Sequence, residues 1–93
     1  MSIELFDRAR DKYGLTMQMT VALEEMSELQ KEITKYLRGK GSKEHLTEEI
    51  ADVRIMLLQI TYFLNISNED VLEIIEYKLN RLAKRINNST ETE

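Results

Sequence analysis

The stretch Glu49-Ile50-Ala51-Asp52-Val53-Arg54-Ile55-Met56-Leu57-Leu58-Gln59-Ile60-Thr61-Tyr62-Phe63-Leu64 decides the fold. It holds neither glycine nor proline. On a helical wheel at about 100° per residue, Ile50, Val53, Met56, Leu57, Ile60, Phe63 and Leu64 fall on one wide arc. Ala51, Ile55, Leu58 and Tyr62 lie on the other side. A helix that is apolar on both sides must be covered on both. In so short a chain the second cover has to come from another protein chain, so a homo-oligomer is expected.

Working outward, four helical segments are predicted: about residues 2–12, 15–38, 44–64, and a fourth running from the Ser67 turn to about Ile86. Gly14 separates the first two, and Gly39-Lys40-Gly41-Ser42 breaks the pattern again, with Ser42 as N-cap of the third. In the next turn, Asn65-Ile66-Ser67-Asn68, Ser67 and Asp70 have the spacing of a capping box. The second segment places Leu15, Met19, Ala22, Met26, Leu29, Ile33 and Tyr36 on one arc. The fourth does so with Val71, Leu72, Ile75, Leu79, Leu82, Ala83 and Ile86. Long helices joined by short connections favour antiparallel neighbours, so the expected fold is an all-α four-helix bundle completed by oligomerisation. One domain is expected over residues 1–86, with a frayed C-terminal tail over 87–93.

Composition narrows the function classes. At 93 residues the chain buries only roughly 60 to 65% of its unfolded surface as a monomer, which makes a lone copy marginal. Hydrophobic residues at 42% and charged residues at 32% suit a globular domain, neither disordered nor membrane-embedded. Without cysteine there are no disulfides and no thiolate metal sites, and a cytoplasmic location is expected. Glu4 and Asp7 near the start argue against a signal peptide, and the apolar run Ile55–Leu64 is too short to span a bilayer. A net charge of −4 disfavours binding to nucleic-acid polymers while leaving nucleotide monomers open.

Glu25 and Glu28 are three apart on the second helix, as are Glu49 and Asp52 on the third, so each pair shares a helix face. Glu25 and Glu28 lie at the edge of their apolar arc, Glu49 within its own arc and Asp52 at its border. Acids set against a core need a compensating charge, since an unpaired desolvated carboxylate costs several kcal/mol. Hard oxygen donors with no histidine nearby suit Mg²⁺ or Mn²⁺. Glu24 lies further toward solvent, as a group behind the ligands, a water-orienting base or plain surface. On the fourth helix Lys78, Arg81 and Arg85 form a basic stripe along one flank of the apolar arc, suited to phosphate oxygens. Gln18 lies two turns before Glu25 on the same line, a candidate nucleotide contact. His45 has no partner in sequence, and the Arg38–Lys43 segment lacks the spacing of a phosphate-binding loop.

The string Leu23-Glu24-Glu25-Met26-Ser27-Glu28-Leu29, followed after a spacer by Glu49-Ile50-Ala51-Asp52-Val53, resembles the EExxE…ExxD signature of MazG-like nucleoside triphosphate pyrophosphohydrolases. The resemblance spans about Gln18 to Arg85. It implies that Glu25, Glu28, Glu49 and Asp52 are Mg²⁺ ligands in a catalytic set that includes Glu24. It also implies that Lys78 and Arg81, and with a weaker match Arg85, contact the triphosphate. The implied reaction is hydrolysis between the α and β phosphates, giving a nucleoside monophosphate and pyrophosphate, in a dimer or tetramer. The runner-up is a non-enzymatic helical oligomer acting as a regulatory interaction protein. A di-iron carboxylate bundle is disfavoured, because its Glu-x-x-His motifs are absent.

Overall fold

A computed structural model describes the backbone of residues 3–92 and the side chains of residues 3–88. The chain is all-helical: α1 (Ile3–Tyr13), α2 (Leu15–Leu37), α3 (Lys43–Phe63) and α4 (Asn68–Thr92), with no strand among the described residues. Helix starts follow the polar caps. Ser42 Oγ accepts from the backbone N–H of His45 at 3.1 Å, and Ser67 Oγ accepts from that of Asp70 at 3.4 Å.

Both long helix–helix turns are closed by the same device. After α2, Lys40 N–H donates to Lys35 O at 2.9 Å and Gly39 N–H to Tyr36 O at 3.0 Å. After α3, Ile66 N–H donates to Thr61 O at 2.9 Å and Asn65 N–H to Tyr62 O at 3.3 Å. These are Schellman motifs, which need a left-handed residue just past the helix. Gly39 supplies it at φ 77° and Asn65 at φ 55°. Gly41 answers a second demand, since a Cβ there would sit 3.0 Å from the Tyr36 backbone nitrogen.

Among the described residues, α2 and α3 form the one extensive packed pair. Across the end of the pair near Gln18 and Gln59 lies α1, held by Phe6 and by Tyr62 Oη donating to Asp7 Oδ1 at 2.7 Å. Phe6 and Tyr62 have ring centroids 6.4 Å apart, and the Arg10 guanidinium lies 5.4 Å from the centre of the Phe63 ring. At the heart of this small core are Phe6 (6% exposed), Ala22 (2%), and two amides, Gln18 and Gln59 (8% each).

Two features differ from the sequence reading. The face of α2 that packs runs through Gln18, Ala22, Glu25, Leu29 and Glu32, turned toward the acidic line, so Leu15, Ile33 and Tyr36 of the expected arc are exposed. The four helices are those expected, and among the described residues α4 leaves the Asn65 elbow and makes almost no tertiary contact, so the chain does not close a four-helix bundle by itself. The second difference is the end of α4, which runs to Thr92 where about Ile86 was expected, with no glycine or proline to interrupt it; residue 93 of the expected tail lies outside the described residues. The radius of gyration is 17.2 Å. A compact domain of this length would have about 12 Å. On α3, Ile55 and Leu58 of the second apolar side are exposed, as are Ile50 and Leu57 at the edge of the first arc, and so are Leu72, Ile75, Leu79 and Leu82 of α4. Between them lies an open groove lined by Arg54, Leu57, Leu58, Thr61, Val71, Leu72 and Ile75. No described helix is long and apolar enough to cross a membrane.

Because Phe6 is the largest side chain in the core, Phe6→Ala should cost about 3 kcal/mol and release α1. Urea titration followed by circular dichroism checks this; a loss below about 1 kcal/mol would show that α1 is not anchored there.

Candidate metal centre

The α2–α3 pair carries its acids on the faces that meet. Glu25, Glu28 and Glu32 recur at i, i+3 and i+7 on α2, and Glu49 and Asp52 at i and i+3 on α3, so every one of these side chains is aimed along the same seam. The antiparallel hairpin, fixed by the Gly39–Gly41 turn, brings the two sets level. Glu25, Glu49 and Asp52 each offer a carboxylate oxygen within 4.8 Å of the others.

The electrostatics are uncompensated. Burial raises the Glu25 carboxyl above its ordinary value of 4.5, and Asp52, Glu49 and Glu28 push it further up, with Asp52 also in hydrogen-bond reach. Burial likewise raises Glu49, followed by the negative charges of Asp52, Glu28, Glu32 and Glu48. Every charge acting on these two groups is negative. Glu49 Oε2 and Glu32 Oε2 are buried without a hydrogen-bond partner. An orphaned carboxylate oxygen next to other carboxylates is a costly arrangement unless a cation completes it. The nearby lysines do this only at the edge. Lys31 reaches Glu28 at 3.3 Å and Lys35 reaches Glu32 at 3.4 Å, both from exposed positions where ion pairs contribute little.

Of the expected ligands, three converge, and Glu28 stands beside them, half-exposed and paired to Lys31. Glu24 is exposed on the outer side of α2. Gln18 is not open to a nucleotide: it is packed into the core under α1. Lys78, Arg81 and Arg85 are exposed on α4, and no ion pair among the described residues joins them to the acids. Glu32 is not among the residues the sequence singles out, although its i+7 spacing from Glu25 is a signal that could have found it. Its side chain is 14% exposed. Gln59, within the apolar run Ile55–Leu64, is buried with Oε1 unpartnered. Chemically, a convergent set of hard oxygen donors with no local cation and no histidine can hold one or more hard divalent ions.

The chain has no match among protein-family models, curated proteins or solved structures.

The raised carboxyls have a sign that can be tested. Protonation of Glu25 and Glu49 favours the folded state here, so the metal-free protein gains stability as pH falls toward their raised values and loses it again as pH rises through them. Glu49→Gln should flatten that rise in melting temperature, and millimolar Mg²⁺ or Mn²⁺ should raise the wild-type melting temperature most at the alkaline end. A pH profile identical in wild type and variant would show that the acids do not repel one another in the fold.

Proposed function

We propose that the chain is a Mg²⁺-dependent nucleoside triphosphate pyrophosphohydrolase that cleaves between the α and β phosphates and releases a nucleoside monophosphate and pyrophosphate. The observation that carries this reading is the convergence of Glu25, Glu49 and Asp52, at the motif positions, into a cluster with no counter-charge and a buried orphan oxygen on Glu49. With no family match, the MazG-like assignment rests on that motif, its spacing and this geometry.

Glu25, Glu49 and Asp52 would hold the metal, with Glu28 close enough to join or to hold a second ion. Bound there, Mg²⁺ neutralises charge on phosphate oxygens and makes water a better nucleophile. The protein's own part is placement. Two rigid helices fix the carboxylates, so little reorganisation is needed when the anionic substrate arrives. Glu28, where it stays outside the metal shell, would take the proton from the attacking water as the anhydride bond breaks. Lys78, Arg81 and Arg85 supply the positive charge that triphosphate requires, in a homo-oligomer working in the cytoplasm. The second reading, a non-enzymatic helical oligomer acting as a regulatory partner, draws on the extensive exposed apolar surface of α3 and α4.

Incubation with a panel of ribo- and deoxyribonucleoside triphosphates and Mg²⁺, with products separated by chromatography, decides between them. Monophosphate and pyrophosphate support the enzyme, whereas diphosphate and phosphate, or no turnover on any nucleotide, overturn it. Glu49→Gln and Asp52→Asn should each lower kcat by about 100-fold or more while leaving the metal-free melting temperature equal or higher. Unchanged turnover would remove both residues from the ligand set.

A further inference from the structure

We propose that α1 is a hinged lid, which opens at Gly14 while the α2–α3 pair stays folded and uncovers two side-chain amides, Gln18 and Gln59, at that end of the seam. The closed position is set by one face of α3. Gln59, Tyr62 and Phe63 share it at i, i+3 and i+4, and α1 rests on it. The Phe6 ring lies 6.4 Å from that of Tyr62, the Arg10 guanidinium lies 5.4 Å from the centre of Phe63, and Tyr62 Oη donates to Asp7 Oδ1 at 2.7 Å. Beneath α1, Gln18 and Gln59 are each 8% exposed, and Gln59 Oε1 is buried with no hydrogen-bond partner.

Little holds this helix down, and what it covers gains little from being covered. Phe6 is the one buried residue of α1, while Ile3, Leu5 and Tyr13 are exposed. Its packing on α2 is far slighter than that of α2 on α3. An apolar floor would oppose opening, whereas an orphaned amide oxygen favours it, because water restores the missing bond. The joint is equally specific. Gly14 has φ 87° and ψ 155°, a region open essentially to glycine alone, although a Cβ there would meet nothing. No side chain caps α2 at this point, so the backbone alone carries the closed angle. A released helix of 11 residues is too short to hold itself in water, so α1 opens and melts in one event. Gln18 precedes Glu25 by seven residues and Gln59 follows Asp52 by seven, which in an antiparallel pair is the same direction along the seam. The distance is two turns, about 10 Å. Opening therefore extends the accessible polar seam from the acids to the amides, whatever reaction the acids serve.

Native-state hydrogen exchange on the wild-type chain at low urea reads the opening directly. The amides of Arg8 to Gly14 should exchange together, at least about tenfold faster than those in the middle of α2 and α3, and with a much weaker urea dependence. Exchange of both sets only through one global unfolding would overturn the lid. Tyr62→Phe keeps the ring and leaves Asp7 its partner Arg10 at 3.0 Å, so loss of the latch should speed α1 exchange about tenfold and leave the middle of α2 unchanged. Gly14→Ala should speed it as well, since the strain exists only in the closed form. Unchanged α1 exchange in both variants would remove latch and hinge together and overturn the proposal. The covered floor has its own probe. The chain lacks cysteine, so Gln59→Cys carries the only thiol, and its labelling by a maleimide should rise in step with α1 exchange when Tyr62→Phe is added. Labelling at the rate of global unfolding, unmoved by Tyr62→Phe, would show that α1 does not gate this position and would also overturn it.

Discussion

Repulsion among carboxylates on the seam between α2 and α3 is the constraint around which this chain is arranged. A helix pair ordinarily keeps apolar groups on the faces that meet. Here Glu25, Glu32, Glu49 and Asp52 occupy part of that surface, and the strictly buried side chains number only Phe6, Ala22, Gln18 and Gln59 among the described residues. The loss of apolar contact is met elsewhere. Aromatic and hydrogen-bonded contacts from α1 close one end of the pair through Phe6, Asp7 and Tyr62. The opposite end is held by the tight Gly39–Gly41 turn, so two fixed ends keep like charges together in the middle. A cation placed among carboxylates held side by side in this way would relieve their repulsion.

Much of the architecture was written in local chemistry. Glycine, serine and asparagine mark each helix end, and Ser42 and Ser67 cap the helices they precede because a short hydroxyl side chain is the natural acceptor for an open N–H. The clustering of Glu25, Glu49 and Asp52 was legible too, since i,i+3 spacing on two neighbouring helices leaves few alternatives once the hairpin is antiparallel. The rotation of α2 was not, because helical periodicity finds the apolar arc but not which part of it a neighbour covers. The exposed Ile33 and Tyr36 and the largely covered Glu32 are two sides of that one ambiguity. Gln18 shows a related limit: an amide on a helix line reads alike whether it faces ligand or core. The course of α4 was equally hidden, as it depends on a turn geometry and on what lies outside the chain.

The amides at Gln18 and Gln59 sit where hydrocarbon would pack better. Gln59 keeps a buried oxygen unpartnered, and burying an unpaired amide oxygen costs on the order of 1 to 3 kcal/mol. Together with the acids they make the interior of the α2–α3 pair polar along most of its length. A seam of this kind specifies one register more strictly than an apolar one, because sliding either helix by a turn would strand charges against carbon.

The elbow at Asn65 sets more than a local bend. A helix of 25 residues, such as α4, is about 37 Å long, so a rotation of about 10° at its base carries the far end through about 6 Å. A side-chain amide that tolerates a left-handed backbone is thus the pivot of a lever, and the Tyr62 and Thr61 carbonyls that hold it are its bearing. Tyr62 also holds α1 through Asp7, which ties the bearing mechanically to the only other helix resting on the packed pair. Substitutions around this joint would retune the reach of α4 without touching a single charged residue.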